Sequence, residues 1–300
     1  MNNEFLLQTI ENIENLLQTL KSAIQQPPKQ AQAKKGIKCT SESVPAKLLG
    51  QLPNFNDELW PQAAPPIVIV KGEISKQFRA VQIAGLISLP MEGARVLEIG
   101  CGEGHVANEL SRRAKNVVGY DLKLHSTWND LKGPTFTIDK TIVNNHKPYD
   151  YIIMYDVLDH IERDDHTSLM AWASSLLAPD GRIFVRTHPW TSRHGSHLYE
   201  TGLNKAFVHL ALTADELATV GFDMPPNSKI VRPMAAYERI FRDAGLQVID
   251  RKGHTSAVEP YFSDALLDRI INVTWGGKIE KDDALKIMSN VYIDYYLANS

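Results

Sequence analysis

"VLEIGCGEGHVANEL", residues 96–110, is the stretch whose reading decides the fold. An apolar run ending at Ile99 gives way to Gly100, Gly102 and Gly104. A segment with Val106 and Leu110 at helical spacing follows. A strand, a glycine turn and a helix in that order bring bare backbone close to a ligand at the carboxyl end of the strand, where side chains would block the approach. A dinucleotide crevice is spaced G-x-G-x-x-G, with the helix amino terminus facing a pyrophosphate. Here the third glycine comes one residue early. Glu98 also stands at the end of the strand, where its charge would oppose a pyrophosphate and favour a ligand bearing an ammonium and a sulfonium. An ordinary tight turn is the bland alternative.

The chain on either side supplies the rest of an α/β pattern. "NVVGYD" reads as a second strand, "TFTID" as a third, "YDYIIMYD" as a fourth and "RIFVRTH" as a fifth. A helix through Leu169, Trp172 and Leu176 runs up to "APDG" before the fifth strand. Alternation of this kind argues for a parallel sheet with helices on both faces. Ahead of the first strand, Ile74, Phe78, Val81, Ile83 and Leu86 form a helix-like pattern. Later, "AAYERIFRDAG" reads as a helix stopped by Gly245, followed by the strand "LQVIDRKG". "NVYIDYYL" reads as a last strand, although "DDALKIMSNVYIDYYL" could also continue as helix. Asp121 closes the second strand, where a carboxylate can accept hydrogen bonds from ribose hydroxyls of any adenosine-containing ligand. The alternative for Asp121 is a helix cap.

Composition bounds these readings. A chain of 300 residues with 43% hydrophobic content can bury a sizeable core, and its net charge of -3 gives no overall basic field for nucleic acid. Cys39 and Cys101 do not suggest a disulfide framework, no run is long enough to span a bilayer, and no secretory signal opens the sequence. The expectation is a cytoplasmic protein. In residues 1–26, Leu6, Ile10, Ile13, Leu17, Leu20 and Ile24 alternate at steps of four and three, a heptad seam that predicts a coiled coil. Residues 4–26 would then join copies into a homo-oligomer, and the alternative is an amphipathic helix packed on its own domain. Residues 27–65 read as a linker whose lysines, Lys29, Lys34, Lys35 and Lys38, leave a nucleic-acid contact open.

"VLEIGCGEGHVANELSRRAKNVVGYD", "YDYIIMYDVLDHI" and "SLLAPDGRIFVRTHP" resemble the successive motifs of class I S-adenosylmethionine-dependent methyltransferases. The resemblance spans about residues 75–190. It implies a Rossmann-like fold, a mostly parallel seven-stranded sheet with helices on both faces. The domain would occupy residues 66–300, with an acceptor-side insertion at about 190–234. It further implies that Glu98, Gly100, Cys101 and Gly102 surround the methionine part of S-adenosylmethionine, with Gly104 also among the cofactor-binding residues. Asp121 would hold the ribose, Leu122 would flank the adenine and Asp139 would reach its amino group. Tyr155 and Asp156 would lie between cofactor and acceptor. A helix cap is the structural alternative for Asp156.

Acceptor residues are expected after the fourth and fifth strands, in "THPWTSRHGSHLYETGLNKAFVHL". His188, directly after the fifth strand, is the candidate general base, with a hydrogen-bond anchor as the alternative. Asp156 is the second catalytic candidate. The spacing of His188, His194, His197 and His209 matches no tight zinc pattern, so no metal is expected. Arg193 and Lys205 could pair with an anionic acceptor. The enzyme class expected is an O-methyltransferase acting on a small molecule. A catalytically inactive scaffold with the same fold and a nicotinamide-dependent oxidoreductase are the competing readings.

Overall fold

The structure is a computed structural model that describes residues 73–193, 195, 205–219, 233–256, 258 and 263–300. The expected coiled coil, the linker and His194 and His197 lie outside the described residues. The first half of the chain runs α1 (Glu73–Leu86), β1 (Arg95–Ile99), α2 (His105–Leu110), β2 (Asn116–Tyr120), β3 (Thr135–Thr137), α3 (Lys140–Asn145), β4 (Tyr149–Tyr155), α4 (His166–Leu176) and β5 (Leu177–Thr187). After it come the short helices α5 (Val208–Ala211) and α6 (Ala214–Ala218), then α7 (Met234–Asp243), β6 (Leu246–Thr255), α8 (Asp264–Trp275), α9 (Lys281–Met288) and β7 (Asn290–Asn299).

The seven strands form one sheet in the order β3-β2-β1-β4-β5-β7-β6. Strands β1 to β5 are parallel, and β7 runs antiparallel to both β5 and β6. The chain winds outward from β1 in one direction and from β4 in the other, so the crevice between them is a topological switch point. Because β7 is reversed, its first residues lie at the carboxyl edge of the parallel strands, with Asp294 opposite Arg186.

Alternate residues of the central strands face opposite layers. Leu97, Ile152, Met154 and Val185 pack with Tyr237 and Phe241 of α7 on one face. On the other, Val96, Ile153 and Phe184 pack with Ile83 and Ala84 of α1 and with Ala107 and Leu110 of α2. A separate apolar cluster joins Phe207, Leu210 and Leu217 to Leu266, Ile270 and Met288.

The expected elements form, with three differences of detail. Strand β5 opens at Leu177 rather than Arg182, because Leu177 pairs with Tyr149 before residues 178–181 interrupt the register and Arg182 pairs with Tyr151. The ambiguous end of the chain divides: "KDDALKIM" is helix α9, and the β-branched and aromatic run from Asn290 is β7. Helix α1 buries Ala80, Ile83 and Ala84, leaving Phe78, Val81 and Leu86 exposed. Its apolar residues therefore do not share one buried stripe.

Candidate active site

The glycine loop curls over the end of β1 in a conformation that side chains resist. Gly100, Gly102 and Gly104 have φ of +73°, +50° and +85°. A Cβ on Gly100 would meet Val157 Cγ2 at 2.7 Å, and one on Gly104 would meet the Phe136 ring at 2.6 Å. Gly102 differs, since nothing lies within 4 Å of its Cβ direction. It backs onto open space. The Gly100 and Cys101 amides both donate to the Tyr120 carbonyl, at 2.8 and 3.1 Å, which ties the loop to the end of β2. Trp128 Nε1 donates to the Gly102 carbonyl at 2.8 Å.

Asp121 follows β2 at the lip of this space. Its Oδ2 accepts from the Gly102 amide at 2.8 Å and its Oδ1 from the Lys123 amide at 3.1 Å. It is therefore a brace between loop and strand, and it caps no helix. Asp139 is a cap: its Oδ1 accepts from the Thr141 amide at 2.7 Å and starts α3. Leu122 and Leu124 are both 77% exposed. Beyond them a cavity of ≈ 580 Å³ is lined by residues that include Leu124, His125, Trp128 and Phe136, the last two stacked with ring centroids 5.1 Å apart.

Behind the glycines, Glu98 is buried and its Oε2 has no hydrogen-bond partner. Burial raises its carboxyl to about 8, against a hydrogen bond from the Ala107 backbone that lowers it and the charge of Asp121 that raises it further. A buried, unsatisfied carboxyl beside an open glycine turn suits a cationic head group. It does not suit a pyrophosphate. These residues therefore fit S-adenosylmethionine. Burial also pushes the Cys101 thiol up, so this cysteine contributes packing and its backbone amide rather than a thiolate.

The second half of the site stands at the ends of β4 and β5. Asp156 directly follows β4 at φ +54°, a rare conformation for a residue with a side chain, and its amide is fixed on the Arg186 carbonyl at 3.0 Å. Its carboxyl is pushed up to about 7, mainly by burial and then by the charge of Asp159, while Arg79, 4.0 Å away, works in the other direction. Asp159 is fully buried in the short turn that follows, and burial raises it too to about 7. His188 is buried as well, with Nδ1 3.1 Å from Asp159 Oδ2. The sequence reading named His188 and missed Asp159, although the residue sits within "VLDH".

It also missed a buried charge cluster beside them. Arg186 meets Asp294 through two contacts, Nε to Oδ1 at 2.5 Å and Nη2 to Oδ2 at 2.6 Å. Burial opposes the guanidinium charge, and the Asp294 carboxylate more than offsets this, so Arg186 stays cationic. The same guanidinium lies over the rings of Tyr155 and Tyr292, at 5.2 and 5.7 Å, and Nη1 donates to Tyr155 Oη at 3.3 Å. His254 of β6 adds a contact to Asp294 Oδ2 at 2.6 Å. His209, by contrast, is buried against the Trp190 ring, with centroids 4.7 Å apart and Nε2 2.8 Å from the Trp190 carbonyl. No group of three or more metal-ligating side chains comes together among the described residues.

A family model described as "Methyltransferase domain" matches residues 76–251. The chain belongs to this methyltransferase family. Its cofactor is S-adenosylmethionine, as the glycine loop and Glu98 suggested, and the nicotinamide reading is set aside. Among curated relatives, a ubiquinone biosynthesis O-methyltransferase of Neisseria meningitidis is 26% identical over 184 residues, 55% of this chain and 68% of that protein. One from Xylella fastidiosa is 29% identical over 109 residues, 33% of this chain and 44% of that protein. Among solved structures, an S-adenosylmethionine-dependent methyltransferase from Archaeoglobus fulgidus matches 75% of this chain and 94% of its own, at 12% identity and a TM-score of 0.48. No helix among the described residues is long and apolar enough to cross a membrane.

Proposed function

We propose that this methyltransferase acts on a hydroxyl oxygen of a small-molecule acceptor, with His188 taking the proton and Asp159 holding His188 in place. One observation carries the reading: the 3.1 Å contact between His188 Nδ1 and Asp159 Oδ2, inside the protein at the carboxyl edge of β4 and β5. The names of the curated relatives support oxygen as the acceptor atom.

When bound, S-adenosylmethionine supplies a methyl group on a sulfonium that is already a good leaving group. The protein's own tasks are to align the acceptor, exclude water and remove a proton. A hydroxyl is a weak nucleophile until that proton leaves. The Asp159 carboxylate facing Nδ1 at 3.1 Å favours the tautomer with its proton on that nitrogen, which leaves the lone pair on Nε2 that a general base requires. Asp159 then stabilises the imidazolium once the proton has moved. Asp156, at the carboxyl end of β4 with its carboxyl pushed up to about 7, can hold the acceptor hydroxyl by donating or accepting. On the cofactor side, Glu98 faces the ammonium, Gly100, Cys101, Gly102 and Gly104 leave room for the methionine chain, and Asp121 takes the ribose. Leu122 covers one side of the adenine, and Asp139 has its second carboxylate oxygen for the adenine amino group.

The reading extends to the whole chain as a cytoplasmic enzyme whose residues 4–26 join copies. Incubating it with methyl-labelled S-adenosylmethionine and a panel of phenols, catechols and alcohols should yield labelled ethers. Label found on nitrogen alone, or nowhere, would overturn the proposal. Removing residues 1–26 should give a smaller species by light scattering, and an unchanged mass would end the oligomer proposal.

A further inference from the structure

Helix α1 carries a cation and an apolar wall at the mouth of the acceptor side. A cavity of ≈ 570 Å³ is lined by Arg79, Gln82, Ile83, Leu86 and Tyr155. That is within the usual range for a small-molecule site. The helix that forms it is not free to wander. Lys76 pairs with Glu103 of the glycine loop, and Arg113 Nη2 donates to the Ala84 carbonyl at 2.9 Å. Arg79 is thus held at a set distance from the site.

Two residues that line this cavity carry hydrogen-bond donors. Arg79 is 67% exposed, and its ion-pair partner among the described residues, Asp156 Oδ2, is 4.0 Å away. A contact that long leaves most of its five N–H donors to other partners. Tyr155 is the second. Its Oη already accepts from Arg186 Nη1, and Arg186 is itself clamped by Asp294, so the phenolic proton is directed away from that cluster. A guanidinium and a phenolic O–H on the wall of one cavity match a carboxylate or phosphate, which can accept from both. Ile83 and Leu86 form the rest of the wall, and Phe78 and Val81 extend the exposed apolar surface of the same helix.

We propose that the acceptor is an amphipathic anion, its acidic group held by Arg79 and Tyr155 and its apolar part laid along Ile83 and Leu86. The proposal deepens the methyltransferase reading and rests on it. It makes Arg79 a specificity residue: it selects the acceptor and touches neither the cofactor nor the transferred methyl.

The test uses octanoate and octanamide, which share a chain and differ in charge. Each is titrated into the full-length protein with and without saturating S-adenosylhomocysteine, followed by calorimetry. Octanoate should bind at least five-fold more tightly than octanamide. Arg79→Met should reduce that ratio to below two, Arg79→Lys should restore part of it, and 0.5 M salt should lower it. Equal affinities in the wild type, binding of neither probe, or a ratio unchanged in Arg79→Met would overturn the proposal. Failure of S-adenosylhomocysteine itself to bind would strike the methyltransferase reading instead, and it is read in the same experiment from a separate titration.

Discussion

The crevice at β1 and β2 and the cluster at β4, β5 and β7 share one edge of the sheet, yet they are built from different materials. The first is made of backbone. Three positive-φ glycines, two amides on the Tyr120 carbonyl and two on the Asp121 carboxylate shape it, and most of it comes from residues 98–123. The second is made of side chains from distant parts of the chain. Arg186 and Asp294 are 108 residues apart in sequence, and Arg251 to Thr255 of β6 bring His254 to the same place. A backbone site tolerates change in its surroundings and fixes one ligand class. A side-chain site is open to alteration residue by residue, which suits a part that must choose among acceptors.

The largest effect expected from this difference is on stability against pH. Burial raises Glu98 to about 8 and Asp156 and Asp159 to about 7, so the folded state holds more protons than the unfolded state above the ordinary carboxyl range. Stability should therefore fall as pH rises from about 5 to 8, by on the order of 5 kcal/mol for the ligand-free protein. S-adenosylhomocysteine should restore only the share due to Glu98. Thermal melts across that range, with and without this ligand, separate the two regions, and stability rising with pH would contradict the assignment.

Within the acceptor half, Asp294→Ala strands a buried guanidinium and should cost about 3–5 kcal/mol in denaturant unfolding. Pairing it with Arg186→Met should recover much of that loss, whereas an additive double variant would show that the two charges are not coupled. His188→Ala should slow turnover by about 100-fold or more without weakening cofactor binding. Asp159→Asn should shift the alkaline or acidic limb of the pH–rate profile, which a purely structural role would leave in place. In the cofactor half, Asp121→Ala removes charge-assisted hydrogen bonds and should weaken S-adenosylhomocysteine binding by about 1.5–3 kcal/mol. Wild-type affinity in that variant would break the ribose assignment.

The two halves also differed in how far they could be read in advance. Gly100, Gly102, Gly104, Glu98 and Asp121 follow one another along a strand, a turn and the next strand, so local spacing alone brought them together. Asp159 and His188 needed the adjacency of β4 and β5. His188 stands out by its place directly after a strand, whereas Asp159 sits inside "VLDH", where local spacing marks only a turn. Arg186 and Asp294 needed more still, since their contact depends on β7 entering antiparallel between β5 and β6. Nothing in the local pattern of "NVYIDYYL" says which strand it will join. Asp139 shows the reverse case, a position placed by resemblance whose carboxylate visibly caps α3.

The most direct test of the account is calorimetry of S-adenosylhomocysteine binding at pH 7 in buffers of different ionisation enthalpy. Binding should be saturable, one ligand per chain, with proton release as Glu98 ionises against the ligand's ammonium, and that release should be lost in Glu98→Gln. No heat at saturating ligand, or proton release identical in Glu98→Gln, would contradict it.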